Sequence, residues 1–306
     1  MFVSSRPAEL PRALIRRAQE HPPVRTAVVN AVNAVVMESV QEAVAEELIE
    51  PVLVGAEGEI KAEAEKLSFD ISGYEIVDAD GEEAAAIASA GLAAGDAVHA
   101  VMKGHLHTDV YMKALLSRDA GLRTGAPFTH LFHMTVPDRD EGLIITDAAL
   151  NPAPDVETRK AIATNAVAMM RALGVTRPKV ALLSATETPN PKIPSSAEAQ
   201  EIAAWAKDGL PDADVDGPLA FDLAVSSEAA RVKGVTSPVA GQADVLVVPE
   251  IVCGNALFKM MVQYMSACAG GLVMGAKVPI LLTSRADPPV ARLASAALAA
   301  VASTIK

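Results

Sequence analysis

Short apolar runs alternate with Ala- and Glu-rich stretches along the whole chain, and that alternation constrains the fold more than any other feature. Thr26–Val29, Pro51–Gly55, Tyr74–Val77 and the run ending at Val101 have the length and content of buried strands. Between them, residues 35–49 and 59–67 place apolar side chains three and four apart, the spacing of a helix with one buried face. The rhythm continues in strands expected at 129–136, 142–146, 180–183, 243–248 and 278–282, with helices expected at 156–173, 197–206, 255–265 and 289–302. Residues 216–222 read as a tight turn into a helix. Strands separated by helices predict a parallel sheet covered on both faces. About nine or ten strands are many for one open sheet, so two α/β lobes are expected. Their boundary falls near residues 137–141, where proline and charge cluster.

Composition supports a large core and narrows the partners. Of 306 residues, 51% are hydrophobic and only 3% aromatic, so the interior must be built mainly from Ala, Val, Leu, Ile and Met. The 26 Lys and Arg against 38 Asp and Glu give a net charge of -12, a poor match to nucleic acid or an anionic membrane. Cys253 and Cys268 are too few for a disulfide framework or a thiolate metal site. Apolar stretches are cut by charge, Gly or Pro before reaching about 18 residues. The first dozen residues carry charge, unlike a secretory signal, and a cytoplasmic protein is expected.

The segment Val101-Met102-Lys103-Gly104-His105-Leu106-His107-Thr108-Asp109 follows a strand and precedes a helix. Loops at the carboxyl ends of strands are the usual ligand sites of α/β sheets, and a helix N-terminus favours an anion there. Lys103 adds a point charge and Thr108 a hydroxyl, while Arg118 and Arg123 offer guanidinium forks suited to a tetrahedral oxyanion. The plainer reading is a helix capped by Thr108 or Asp109 with solvated cations. His105 and His107 with Asp109 make a thin metal set, and no metal is expected. One histidine as a phosphate or carbonyl donor fits better, with Asp109 able to hold its tautomer.

Thr283-Ser284-Arg285-Ala286-Asp287 repeats the strand-to-helix placement with a hydroxyl, a guanidinium and a carboxylate. Ser284 and Asp287 would equally serve as helix caps. In Pro249-Glu250-Ile251-Val252-Cys253-Gly254-Asn255, Asn255 and Lys259 fall one turn apart and could meet a nucleotide or its phosphates. A cap with a surface lysine explains them as well. Cys253 has no histidine neighbour and is a poor nucleophile candidate. Neither G-x-G-x-x-G after the first strand nor a P-loop occurs.

Five segments, MKGHLHTDVYMKALL, ALLSATETPNPKIPSSAEAQ, DGPLAFDLA, VPEIVCGNALFKM and GAKVPILLTSRAD, occur in this order. With VAEELIEPVLVGAEGEI upstream, they resemble the phosphate acetyl/butyryltransferase family over nearly the whole chain. The resemblance implies an isocitrate dehydrogenase-like fold of two α/β domains with parallel or mixed sheets and an active-site cleft between them. It implies a first domain of residues 1–137 plus 272–306, a second of 138–271 supplying the contact of a homodimer, and no redox cofactor. Coenzyme A is then a substrate, beside inorganic phosphate and acyl phosphate.

The implied chemistry is direct attack in a ternary complex: an aspartate takes the CoA thiol proton, a serine donates to the developing oxygen and arginines hold phosphate. Carried onto this chain, Ser284 is the serine and Arg285 its neighbouring arginine; His107, Thr108 and Arg123 hold phosphate, joined by Lys103 from the reading of the loop above, and Asn255 and Lys259 meet CoA. The acid seven residues beyond the serine in familiar acetyltransferases is here Ala291, so Asp287 is the expected base, with Asp109 behind it. The expected enzyme is a phosphate acetyltransferase. A phosphate butyryltransferase is the alternative, because butyryltransferase-like members share the S-R-A-D pattern. Two other classes are a metal-dependent NAD(P) dehydrogenase on the related fold and a non-catalytic phosphate- or CoA-binding protein.

Overall fold

A computed structural model describes residues 3–282 and 287–305. In chain order the elements begin with α1 (Arg12–Ala18), β1 (Val24–Val29), α2 (Ala34–Ala45), β2 (Ile49–Gly55) and α3 (Glu57–Lys66). Next come β3 (Glu75–Asp78), α4 (Glu82–Ala94), β4 (Ala100–Lys103), α5 (Thr108–Leu116), β5 (Thr129–Thr135) and β6 (Leu143–Thr146). The chain continues through α6 (Val156–Ala172), β7 (Lys179–Leu183), α7 (Pro194–Gly209), β8 (Asp214–Leu219), α8 (Phe221–Val225) and α9 (Ser227–Lys233). It closes with β9 (Val245–Val247), α10 (Ile251–Met265), β10 (Cys268–Met274), β11 (Ile280–Leu281) and α11 (Pro289–Ala302). No described helix is long and apolar enough to cross a membrane.

The chain divides into two compact units, one of Leu10–Ala126 with Gly270–Lys306 and the other of Met1–Glu9 with Pro127–Ala269. Residues 1–9 and 127–137 therefore group with the middle of the chain, not with the first domain as the Pro- and charge-rich stretch at 137–141 suggests. That stretch is a turn after β5, inside its unit.

In the first unit the strands run β3-β2-β1-β4-β11-β10, all parallel neighbours except the antiparallel β10–β11 pair. In the second they run β5-β6-β9-β7-β8, with β5–β6 antiparallel and the rest parallel. Both sheets are mixed, on an α/β plan.

The scarcity of aromatics is answered by close packing of small side chains. Every residue of α11 from Leu293 to Ala302 is buried, so this helix is apolar on all sides and serves as core of the first unit. Burying each of its larger side chains contributes about 1.5–3 kcal/mol. A Cβ at Gly270 would stand 2.7 Å from Leu298 Cδ1, so glycine there lets β10 approach the helix.

Two elements depart from the sequence pattern. Residues 216–219 lie in strand β8, not in a turn: β8 ends its sheet's strand order, and an edge strand tolerates Pro218, which has no N–H to give a neighbour. β10 lacks a predicted counterpart because Gly270 and Gly271 interrupt its apolar pattern.

Candidate active site

Strand β4 ends on Lys103, whose side chain is buried at 5% exposure. At the next residue, Gly104, a Cβ would lie 2.0 Å from the Val29 carbonyl oxygen, so only glycine lets the loop cross the end of β1. Asn30, just past β1, adopts a left-handed φ of 54°. Its Nδ2 donates to the His105 carbonyl at 2.6 Å, and its own carbonyl accepts the His105 amide at 3.1 Å. The loop is thus tied to the neighbouring strand before α5 begins.

His107 is the N-cap residue of α5, but no side chain caps the helix from that position. Its ring turns to Glu82, the first residue of α4: Nδ1 lies 2.9 and 3.1 Å from the two carboxylate oxygens, and the His107 amide donates to Oε2 at 2.9 Å. Thr108 and Asp109 open the helix and are exposed. One turn on, the wholly buried Tyr111 hydroxyl sits 3.0 and 3.1 Å from the carbonyls of Val101 and Leu281, donating between β4 and β11. Burial raises its pKa well above the usual value, so it stays protonated.

Four of the expected residues, Lys103, His107, Thr108 and Asp109, therefore meet in one loop. Arg123 is seated elsewhere: its Nε and Nη2 donate to the Leu116 carbonyl at 3.2 and 2.8 Å, at the far end of α5. At 1.5 Å per residue that is about 12 Å along the axis from Thr108. Arg118 is exposed.

Strand β11 is parallel to β4, with Ile280 beside Val101 and Leu281 beside Met102, so Leu282 leaves the sheet next to the exit of β4. Ser284 and Arg285 lie outside the described residues. Asp287 is half-buried, and its carbonyl accepts from Arg292 Nη1, while Arg292 Nε donates to Ser39 on α2 at 2.6 Å. The start of α11 is fixed to α2 through that guanidinium.

The second unit holds Asn255 and Lys259, on α10. Asn255 Nδ2 donates to the Ala148 carbonyl at 3.3 Å, and Lys259 is exposed. A Cβ at Gly254 would lie 2.8 Å from the Asp147 carbonyl, so this helix rests directly on the loop after β6. Buried Asp147 organises that loop, accepting from the amides of His130, Ala149 and Leu150 and from Asn151 Nδ2 at 2.6–3.0 Å. The helix itself is capped by Glu250, which accepts from the amides of Val252 and Cys253 at 2.7 and 2.8 Å. Burial, with a smaller push from the Glu250 charge, raises the Cys253 thiol pKa, which disfavours a thiolate nucleophile.

Glu82, Asn30 and Asp147 take part in these corners but do not stand out in the sequence. Glu82 is 25 positions from His107, and its one signal is its place in an acidic pair after Gly81, where a helix begins. Among the described residues no group of three or more His, Cys, Asp or Glu side chains gathers as metal ligands would. What the β4–α5 loop offers instead is backbone amides, a hydroxyl, an imidazole and a buried ammonium, a set suited to a small oxyanion.

Comparison with known proteins identifies the family. The family model described as phosphate acetyl/butaryl transferase matches residues 83–300. A phosphate acetyltransferase of Rhizobium meliloti is 43% identical over 289 residues, covering 94% of this chain and 92% of that one. A phosphate butyryltransferase of Clostridium acetobutylicum is 36% identical over 278 residues, covering 90% and 92%. The crystal structure of a branched-chain phosphotransacylase from Enterococcus faecalis V583 superposes with a TM-score of 0.81 at 31% identity, over 92% of this chain and 100% of that one. The chain belongs to the phosphate acetyl/butyryltransferase family.

Proposed function

We propose that the protein is a phosphate acetyltransferase, interconverting acetyl-CoA and phosphate with acetyl phosphate and CoA. The observation that carries this reading is the β4–α5 corner, where His107, Thr108 and Asp109 stand exposed just after buried Lys103, at a helix start that the His107 side chain does not cap. Starting from acyl phosphate and CoA, Asp287 takes the proton from the CoA thiol. The thiolate forms a bond to the acyl carbon, the C–O bond to phosphate breaks, and phosphate leaves with that electron pair. Ser284 donates to the developing oxyanion, and Arg285, Lys103, His107 and Thr108 hold the phosphate. Asn255 and Lys259 receive CoA, and Asp109 stands in reserve as base. A thiol titrates about four units above a carboxylate, so proton transfer needs an electropositive setting, which these cations supply.

The acetyl choice is supported by the extent of the match to the Rhizobium meliloti acetyltransferase, 43% over 289 residues, where a probable butyryltransferase of Bacillus subtilis reaches the same identity over 204. The second reading, a butyryltransferase, is favoured by the placement of Asp287 three residues after Ser284. The isocitrate dehydrogenase-like fold and a cytoplasmic location belong to the same proposal, as does a homodimer formed through the second unit. Exposed Phe221, Val225, Met260 and Met265 support the dimer: they line one apolar hollow of about 410 Å³ on that unit.

Thiol release from acetyl-, propionyl- and butyryl-CoA, measured with and without phosphate, tests the reading. Phosphate-dependent release with the highest kcat/KM for acetyl-CoA is expected; a preference for butyryl-CoA selects the second reading. Asp287→Ala should lower kcat by about 10²–10⁴-fold, and unchanged activity there removes Asp287 as the base.

A further inference from the structure

We propose that Glu82 is a positioning residue for His107, fixing which ring nitrogen meets phosphate; this rests on the functional reading above. A carboxylate only accepts hydrogen bonds, so the contact of Nδ1 with both Glu82 oxygens, at 2.9 and 3.1 Å, requires the proton on Nδ1. The same carboxylate accepts the His107 amide at 2.9 Å, which fixes the residue's backbone as well as its ring. Glu82 can do this because it is the first residue of α4, packed beside α5, and its side chain is 30% exposed against 67% for His107. With Nδ1 held, Nε2 on the other side of the ring is left to a ligand. It accepts from the hydroxyl of hydrogen phosphate when neutral and donates to a phosphate oxygen when protonated; either way the contact is at Nε2. A second-layer carboxylate that sets a histidine's tautomer is a general device for orienting the working nitrogen.

A purely structural role is the rival: Glu82 would tie the start of α4 to the start of α5 and matter only for stability. The two accounts separate in ¹⁵N-histidine spectra of the whole protein, with the His107 signals assigned from their loss in His107→Gln. Wild type should show the Nδ1–H tautomer, and inorganic phosphate should shift the Nε2 resonance. Glu82→Ala should lose both the tautomer preference and the phosphate response, and Glu82→Asp should recover part of each. In turnover, Glu82→Ala should raise the KM for phosphate about tenfold while the KM for acyl-CoA stays within about twofold. In the His107→Gln background Glu82→Ala should add less to the KM for phosphate than it does alone, since the ring it orients is gone. An Nε2–H tautomer in wild type, a phosphate-insensitive Nε2 resonance, or equal changes in both KM values would overturn the assignment. Phosphate binding at Nε2 is read without turnover, so an inactive wild type would instead count against the acyltransfer reading.

Discussion

The corner between β4 and α5 and the corner where α10 meets the loop after β6 both bring a helix start to the end of a strand, yet their polar groups are used differently. At the second, Asp147 is surrounded by four donors, and Glu250 closes the first amides of α10. Its hydrogen-bonding capacity is largely met from within the chain. At the first, Glu82 grips His107 from one side, the His107 side chain does not cap α5, and Thr108 and Asp109 face solvent. The comparison teaches that a strand-end loop becomes a ligand site when its donors are left open, and a scaffold when they are closed.

The largest way to break this contrast is Asp147→Ala. It removes a buried carboxylate that accepts from four donors, of which the His130 amide is itself buried, and should cost about 3 kcal/mol, read from denaturant unfolding. A change below 1 kcal/mol would show that the loop does not depend on that carboxylate.

Comparable in size, histidine by histidine, is a pH effect from the same unit. Burial pushes the His130 imidazole down to about 4, against the opposing pull of the Asp147 charge, and burial alone takes His133 to about 4. Both His130 ring nitrogens and His133 Nδ1 lack hydrogen-bond partners among the described residues. Unfolded histidines titrate near 6.5, so between there and about 4 the unfolded chain binds more protons. Their contribution is therefore complete above pH 6.5 and lost as pH falls toward 4, by up to about 3 kcal/mol for each histidine. Unfolding free energies measured from pH 7 to 4 should show this slope, and His133→Gln should flatten part of it.

How much of this was legible in the sequence differs between the two corners. The β4–α5 loop could be read as a ligand corner because its chemistry is contiguous: lysine, glycine, two histidines and a threonine between a strand and a helix. Its partners could not be read. Asn30 and Glu82 reach it from 75 and 25 positions away, through strand adjacency and helix packing that spacing does not encode. The position of Arg123 also eluded the pattern, since a guanidinium near an anion site in sequence can equally bind a helix's last carbonyl. In the second unit, the alternation at 129–136 revealed a strand but gave no hint that His130 and His133 are both interior. Gly217-Pro218 concealed β8 because the rule against proline in strands does not hold at an edge. The last helix, by contrast, has the expected bounds, because Pro289 marks its start and the Ala-rich run continues to Ala302.

Smaller effects sharpen the comparison. His107→Gln should raise the KM for phosphate about tenfold with little change in stability, since the side chain is exposed and makes one charge-assisted contact. Glu250→Ala should do the reverse, costing about 1 kcal/mol of stability through the lost cap with the KM for phosphate unaltered. If the two substitutions moved the same quantity, the distinction between open and closed corners would fail.

The most direct test of the central claim is the initial rate of thiol release from acetyl-CoA across a range of phosphate concentrations, with wild type and His107→Gln side by side. Saturable dependence on phosphate, shifted to higher concentration in the variant at similar maximal rate, is the predicted result. Release that ignores phosphate, or a variant indistinguishable from wild type, would contradict the assignment of the β4–α5 corner as the phosphate site.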